Sequence, residues 1–371
     1  MCYVNIYQFI RTMIGRTEKT AAPRCGSGRA VSDQTVKGES AMDQRDTVLE
    51  VRDLCVEFNT AEGKVQAINR LDYILHAGEK LGIVGESGSG KSVSSLAVMG
   101  LIPNPPGRIT AGEILYKGQN LLKKSEREME RIRGNEISMI FQEPMTSLNP
   151  IHRCGAQIAE SLRLHRGMNK KEAMAEAVQM MRAVGIANPE ARALEYPHQM
   201  SGGMRQRVMI AMALACRPNI LIADEPTTAL DVTIQAQILD LIRDLNRELD
   251  TAVLFITHDL GVVSELCDTV IVMYTGRIVE QAPVQDLFRD PKHPYTVGLM
   301  EAIPRITRER EPLSTIQGMV PNPTEQIQGC TFWPRCPHAS EQCRTEAPPM
   351  TELSGTRRVR CWLYGDGKEE V

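Results

Sequence analysis

The segment GESGSGKS, at residues 85–92, constrains the fold of this chain more than any other segment. It fits the pattern G-x-x-x-x-G-K-[ST], in which glycines allow a tight turn and backbone N–H groups point at phosphate oxygens. An apolar segment with the pattern of a β-strand precedes it, and SVSSLAVM, with the pattern of a helix, follows it. This context favours a phosphate loop at a helix N-terminus over an ordinary Gly-rich turn. The predicted nucleotide-binding residues are Gly85, Glu86, Ser87, Gly88, Ser89, Gly90, Lys91 and Ser92.

Two acidic residues that follow a buried-type strand complete the predicted site. In ILIADE, at residues 220–225, Asp224 and Glu225 lie at a strand's C-terminal end, where open α/β sheets bind ligands. Such a pair on its own is more often a solvated turn. Beside a phosphate loop it predicts ATP hydrolysis, with Lys91 on the β- and γ-phosphates, Ser92 and Asp224 on Mg²⁺, and Glu225 polarising the attacking water.

The apolar pattern predicts an α/β fold. Two early segments, LEVRDLCVEF and KVQAINRLDYIL, alternate as strands of a small, partly exposed antiparallel sheet do. Other segments are almost continuously apolar, which is typical of central parallel strands covered by helices on both faces. These are LGIVG (81–85), ISMIF (137–141), ILIAD (220–224), AVLFIT (252–257) and TVIVMY (269–274).

Changes in composition along the chain predict its domains. Residues 15–46 are polar and rich in Gly, Ser and Thr, and residues 1–46 are predicted to be a disordered N-terminal extension. Residues 47–282 form the predicted nucleotide-binding domain, and the apolar residues between about 148 and 205 recur at three and four, as in a helical subdomain inserted into the sheet domain. Prolines accumulate after residue 282, so residues 283–371 are predicted to form a loop-rich C-terminal module.

Net charge and hydropathy exclude some classes of protein. With 43 basic and 46 acidic residues the net charge is -3. The chain therefore lacks the large positive charge with which many proteins bind nucleic acid through counterion release. Its uninterrupted apolar segments are all shorter than the roughly 18 residues of a membrane span, and Met1–Ile14 is too short and polar for a signal peptide. We expect a cytosolic protein that can rest against a membrane partner.

MSGGMRQR, at residues 200–207, resembles the L-S-G-G-Q signature of ATP-binding cassette (ABC) proteins, with Met200 and Met204 as departures. The resemblance implies a P-loop NTPase fold of ABC type. It also implies that Ser201, Gly202 and Gly203 bind the γ-phosphate held by a partner subunit, so that ATP lies between two cassettes. An ordinary helix capped by Ser201 is the alternative, and the position just before ILIADE disfavours it.

Other positions match the ABC pattern in the expected order. The resemblance implies that Gln142, in FQEPMTSLNP, contacts Mg²⁺ and water and senses the membrane partner. It implies that Asp231, in TTALD, contacts the opposite subunit, and that His258, in FITHD, holds the γ-phosphate. Phe58 lies where the family places an aromatic ring on adenine, although it can equally be a core residue. The predicted catalytic residues are therefore Glu225, His258 and Gln142.

Further segments resemble the ATPases of bacterial dipeptide, oligopeptide and nickel importers, namely FQEPMTSLNP, MYTGRIVEQ (273–281) and HPYTVGLM (293–300). This implies import of di- or oligopeptides, two transmembrane permease subunits, a periplasmic solute-binding protein, and a second related ATPase or a second copy. It places the chain at the cytoplasmic face of the inner membrane. Another solute, such as glutathione, nickel or an opine, stays open. A chromosome-organising ATPase is disfavoured, because only about a hundred residues without sustained heptads separate Ser92 from Ser201.

Four cysteines crowd into the C-terminal module: Cys330, Cys336, Cys343 and Cys361. No pair has the two-residue gap of a zinc knuckle, which disfavours Zn²⁺ without excluding it. Four thiolates with loose spacing also suit an iron–sulfur cluster, and the cysteine-rich ends of the oligopeptide ATPases resemble such a site. The predicted group is a structural [4Fe–4S] cluster, with His338 as a substitute ligand. Small apolar fillers in a loop-rich segment are the alternative.

Overall fold

The structure is a computed structural model that describes residues 46–142, 147–227, 232–303, 315–325 and 327–364. Asp231 and all of the predicted disordered extension except Asp46 lie outside these residues. The strands are β1 (Thr47–Thr60), β2 (Gly63–His76), β3 (Lys80–Val84), β4 (Gly107–Tyr116), β5 (Gln119–Asn120), β6 (Ile137–Ile140), β7 (Ile220–Asp224), β8 (Ala252–Thr257), β9 (Thr269–Tyr274), β10 (Arg277–Pro283), β11 (Thr351–Ser354) and β12 (Arg357–Val359).

Helices join most of these strands. They are α1 (Lys91–Val98), α2 (Glu126–Ile132), α3 (Cys154–Arg166), α4 (Lys170–Ala183), α5 (Pro189–Arg192), α6 (Gly202–Leu214), α7 (Val232–Leu249), α8 (Leu260–Leu266), α9 (Val284–Arg289), α10 (Pro294–Glu301) and α11 (Glu341–Thr345). Within the described residues, none of them has the length and apolar character that crossing a membrane requires.

A large mixed sheet forms the centre of the fold, in the order β11-β12-β10-β9-β3-β8-β7-β6. The strands from β9 to β6 in that order are parallel, and the remaining three pair antiparallel. Every residue of β7, β8 and β9 is buried, because helices cover both faces of a parallel sheet. This confirms the predicted α/β fold, and it brings the carboxyl ends of β3 and β7 to one edge.

A second, smaller sheet packs beside the first, in the order β2-β1-β4-β5, with all its pairs antiparallel. Along β2 the buried residues Leu71, Tyr73 and Leu75 alternate with more exposed ones. This alternation places one face against the core and the other toward solvent. The small antiparallel sheet that the sequence predicted is therefore confirmed.

The segment between β6 and β7 is helical. Helices α3, α4 and α6 pack on one another around Ile158, Leu162 and Met181, which are fully buried or nearly so. Asn169 caps α4 by accepting hydrogen bonds from the N–H groups of Lys171 and Glu172, which satisfies donors that the first helical turn leaves free. The α6 N-terminus, at the end of this segment, carries the signature sequence.

The C-terminal module adds structure to the core sheet. Strand β12 pairs with β10 through Glu280 and Val359, and β11 pairs with β12 at the sheet edge. The side chains of Tyr295 and Phe332 are fully buried or nearly so, and both pack against Tyr274 of the central sheet. The described part of this module therefore shares an apolar core with the nucleotide-binding domain. The boundary at residue 283 stays a prediction.

Candidate nucleotide site

The phosphate loop joins β3 to α1 and depends on glycine at two positions. Gly85 has φ 154°, and a Cβ there would lie 2.2 Å from the Met273 carbonyl oxygen. Gly90 has φ 98°, and a Cβ there would lie 2.5 Å from the Ala67 carbonyl oxygen. Since both conformations are unfavourable for other residues and neither position has room for a side chain, the loop can pass between β9 and β2 only with glycine.

Lys91, the first residue of α1, is folded over the phosphate loop. Its Nζ donates to the Gly85 carbonyl at 2.7 Å and to the Glu86 carbonyl at 3.0 Å, and the residue is only 6% exposed. Burial lowers the pKa of this amine, whereas the carboxylates of Glu225 and Asp224 act in the opposite direction. The Lys91 ammonium group thus lies between the phosphate loop and the two carboxylates, a position that suits contact with a phosphate group.

Ser92 and Asp224 meet across the sheet edge. The Ser92 Oγ donates to the Asp224 Oδ1 at 3.0 Å. Burial, helped by the neighbouring Glu225, raises the pKa of Asp224 to about 6, although the Ser92 hydrogen bond and Lys91 oppose this shift. A hydroxyl and a carboxylate are the oxygen ligands that Mg²⁺ prefers, so the pair fits the predicted metal site. A bound cation would favour the ionised form of Asp224.

The three predicted catalytic residues are in contact. The Gln142 Nε2 donates to the Glu225 Oε2 at 2.9 Å, and the His258 Nδ1 lies 3.1 Å from the Glu225 Oε1. Glu225 itself has φ 46°, a left-handed conformation that costs energy for a residue with a side chain. The strand-end turn and the two neighbours therefore orient one carboxylate beside the Ser92–Asp224 pair. The catalytic roles themselves stay predictions.

The signature residues begin helix α6. The Ser201 Oγ accepts from the Met204 N–H at 3.3 Å, and Gly202 and Gly203 form the first turn. Ser201 and Gly202 are exposed in the single chain, while Met209 further along is buried. Serine therefore caps the helix, as the alternative interpretation required. Its contact with a partner-bound phosphate stays a prediction.

Phe58 lies on the small sheet. It pairs with Gly107 on β4 and is half-buried beside the core of that sheet. A Cβ at Gly107 would lie 2.7 Å from the Phe58 ring, so glycine makes room for the aromatic side chain. Its predicted contact with adenine stays a prediction.

Two residues that the sequence analysis missed contact the phosphate loop from the C-terminal module. Arg335 forms an ion pair with Glu86, and the Tyr295 hydroxyl accepts from the Glu86 N–H at 2.9 Å. Arg335 lies 249 residues from Glu86 in sequence, and no local pattern signals a pair so distant. Tyr295 lies within HPYTVGLM, which was noted only as a mark of resemblance.

The four cysteines of the C-terminal module line one cavity of about 70 Å³, together with His293 and His338. Burial raises the pKa of the Cys330, Cys336 and Cys361 thiols, to about 12 for Cys361, and the neighbouring cysteines add to these shifts. Within the described residues, however, no three or more His, Cys, Asp or Glu side chains are arranged as ligands of one metal ion. Four cysteines are a suitable set of ligands for the predicted cluster, but their side chains are not positioned to bind one metal ion together.

The fold and the site together define a P-loop ATPase of the ABC class. Residues 68–228 match the family model described as ABC transporter. Residues 279–343 match the model described as the C-terminal region of oligopeptide/dipeptide transporters. The second match begins within β10 and covers α9, α10 and the first three cysteines of the C-terminal module.

Curated relatives agree with these matches. The chain is 54% identical over 318 residues to a probable peptide ABC transporter ATP-binding protein of Sinorhizobium fredii, which covers 85% of this chain and 95% of that protein. It is 52% identical over 322 residues to the oligopeptide transport ATP-binding protein OppD of Escherichia coli, covering 87% and 95%. The chain therefore belongs to the ATP-binding proteins of the oligopeptide/dipeptide family of ABC transporters, and the family predicted from its motifs is confirmed.

Solved structures support the same fold. An ATP-binding cassette captured as a dimer after hydrolysis, with ADP and Pi bound, has a TM-score of 0.58 and 27% identity, covering 64% of this chain and 98% of that one. The protein cbiO1 of Clostridium perfringens, part of an ABC transporter complex, has a TM-score of 0.55 and 25% identity, covering 66% and 92%. The predicted ABC-type fold is therefore confirmed.

Proposed function

We propose that this chain is the ATP-binding subunit of an importer that couples ATP hydrolysis to uptake of di- or oligopeptides across the bacterial inner membrane. The observation that carries the proposal is the match of residues 279–343 to the oligopeptide/dipeptide C-terminal region, on a chain whose phosphate loop, Lys91 and Ser92–Asp224 pair lie together. Relatives named for peptide or oligopeptide transport favour peptides over glutathione, nickel or an opine as the solute.

Each group of site residues has a separate role in the proposed hydrolysis of ATP. The phosphate loop offers backbone N–H groups and Lys91 to the β- and γ-phosphates, where negative charge accumulates in the transition state. Mg²⁺, held by Ser92 and Asp224, would neutralise part of that charge. Glu225 accepts a proton from the attacking water, and its carboxylate keeps one orientation because Gln142 and His258 contact its two oxygens.

The second half of each site comes from another cassette. The exposed N-terminus of α6, at Ser201–Gly203, would bind the γ-phosphate of the partner's nucleotide, because a helix N-terminus offers free N–H groups and a positive dipole end. Asp231 would contact the same partner. The partner is a second related ATPase or a second copy, and a similar cassette solved as a dimer supports this arrangement.

Two transmembrane permease subunits and a periplasmic solute-binding protein complete the proposed importer. The chain would lie at the cytoplasmic face of the membrane as a peripheral subunit, with Gln142 and the residues after it facing the permeases. Closure of the two cassettes around ATP would move the permease helices, and hydrolysis would release them.

The four cysteines are proposed to hold a structural [4Fe–4S] cluster, with Zn²⁺ as the alternative. The four thiols that line one cavity support this proposal, although they must rearrange and lose their protons to act as ligands. Protein purified without oxygen is expected to be brown, with a visible absorbance that Cys336→Ser removes. Colourless protein with one zinc ion per chain would contradict the cluster.

The solute is tested in cells that lack the gene. Uptake of a labelled tripeptide, nickel and glutathione is compared among cells carrying the wild-type chain, Glu225→Gln or no chain. Tripeptide uptake is expected only with the wild-type chain, while nickel and glutathione uptake stay constant. If tripeptide uptake is unchanged while nickel or glutathione uptake falls, the peptide assignment is wrong.

A further inference from the structure

One arginine of the C-terminal module, Arg335, forms an ion pair with the phosphate loop. The Nη1 of Arg335 lies 2.7 Å from the Glu86 Oε2 and its Nη2 lies 3.2 Å from the Glu86 Oε1. Two such charge-assisted hydrogen bonds in parallel are stronger than hydrogen bonds between neutral groups. The Arg335 side chain is only 4% exposed, so solvent screens the pair far less than it screens a surface ion pair.

Aromatic packing fixes the position of Arg335. The rings of Tyr274, Tyr295 and Phe332 lie with their centroids 4.7 to 5.4 Å apart. The guanidinium lies 5.8 Å from the centre of the Tyr274 ring and 6.0 Å from that of Phe332. Since this surface holds the arginine in one position, the ion pair with Glu86 costs little additional side-chain entropy.

Glu86 is the residue at which the phosphate loop begins to turn, and the module holds its backbone as well. The Glu86 N–H donates to the Tyr295 hydroxyl at 2.9 Å. Its carbonyl accepts from the Lys91 Nζ at 3.0 Å and from the Ser89 N–H at 3.2 Å. The C-terminal module therefore fixes the same residue on which Lys91 and Ser89 rely for their positions.

Charge gives this contact a consequence for nucleotide binding. Glu86 brings a negative charge into a loop that must receive a triphosphate, and its backbone carbonyl already accepts from the Lys91 ammonium at 3.0 Å. Without a counter-charge it would repel the phosphates and compete with them for the lysine. Arg335 supplies that counter-charge from outside the loop.

We propose that Arg335 is a positioning residue for ATP: it neutralises Glu86 and holds the first turn of the phosphate loop in the shape that receives the phosphates. It acts through Glu86 and does not itself contact the nucleotide. The C-terminal module of this chain is then part of the nucleotide site, and not only an attachment to it.

The test measures binding of ATP and the KM and kcat of hydrolysis in the full-length protein. Arg335→Ala is expected to raise the Kd and KM for ATP about tenfold, or about 1.4 kcal/mol, with a smaller change in kcat. Arg344→Ala is the matched control, because Arg344 is exposed, lies in the same module and packs on Trp333 instead of the loop. It should leave the Kd, KM and kcat within twofold of wild type.

A double variant separates charge from structure. If the uncompensated Glu86 carboxylate is what weakens binding, Arg335→Ala with Glu86→Gln should recover most of the lost affinity, because the amide carries no charge. A purely structural role for Arg335 predicts no such recovery. A Kd for Arg335→Ala within twofold of wild type, or a double variant as weak as the single one, overturns the proposal.

Discussion

Replacing Glu225 by Gln removes the base from the site and leaves its shape. The glutamine oxygen can still accept from the Gln142 Nε2, whose present distance to the carboxylate is 2.9 Å, while its amide nitrogen faces His258. Asp224 is not expected to take over as base, because its carboxylate contacts Ser92 and is the predicted Mg²⁺ ligand. General-base catalysis contributes about 10²–10⁴-fold, so we expect turnover to fall by that factor, equivalent to about 3–5 kcal/mol in the barrier.

ATP binding should survive the same change, because Lys91 and Ser92 keep their contacts. Phosphate release measures turnover, and size-exclusion chromatography with ATP and Mg²⁺ measures dimer formation. Glu225→Gln is expected to accumulate as an ATP-bound dimer. Glu265→Gln is the control, since Glu265 is an exposed carboxylate paired with Arg243 on another surface. Turnover of Glu225→Gln within threefold of wild type would refute the role given to Glu225.

Three further predictions follow from individual contacts. Gly90→Ala should abolish detectable ATP binding by calorimetry, because its Cβ would lie 2.5 Å from the Ala67 carbonyl, whereas Gly88→Ala, with open space around it, should bind more tightly than Gly90→Ala. Phe332→Ala should lower the free energy of unfolding by about 3–5 kcal/mol in denaturant titrations, because the ring is 1% exposed among Tyr274 and Tyr295; a loss below 1 kcal/mol would contradict this packing. Burial lowers the pKa of His293 from 6.5 to about 3, so between these pH values the unfolded chain binds a proton that the folded chain excludes. The free energy of unfolding therefore falls by up to about 1.4 kcal/mol for each unit by which the pH drops from 6.5 to about 3. His293→Asn should remove that part of the slope, and an unchanged slope would show that His293 is not held neutral.

Local patterns in the sequence predicted the central fold, and they named residues for the nucleotide site that the fold brings together. The phosphate loop and ILIADE each combine a buried strand with polar residues at its end, and the parallel sheet brings those ends together. Gln142 and His258 follow neighbouring strands, so the same geometry brings them to Glu225. For a residue that directly follows a parallel strand, the local sequence was enough to predict that it lies at the carboxyl edge of the sheet.

Contacts that depend on tertiary packing could not be predicted in this way. Arg335 reaches Glu86 only because β12 extends the core sheet and Phe332 enters the aromatic cluster. Phe58 shows another limit of sequence patterns. An aromatic residue on the small sheet has the same local pattern whether it packs in the core or contacts a ligand. The cysteine spacing likewise did not reveal how the four thiols are arranged around their cavity.

Transport by the reconstituted importer tests the central claim most directly. Proteoliposomes would contain this chain with its permeases and partner ATPase, ATP and Mg²⁺ inside, and a labelled oligopeptide with the solute-binding protein outside. Peptide accumulation is expected to require hydrolysable ATP and to fall at least tenfold when Glu225→Gln replaces the wild-type chain. Equal accumulation with a non-hydrolysable analogue, or with the Glu225→Gln chain, would contradict import driven by ATP hydrolysis at this site.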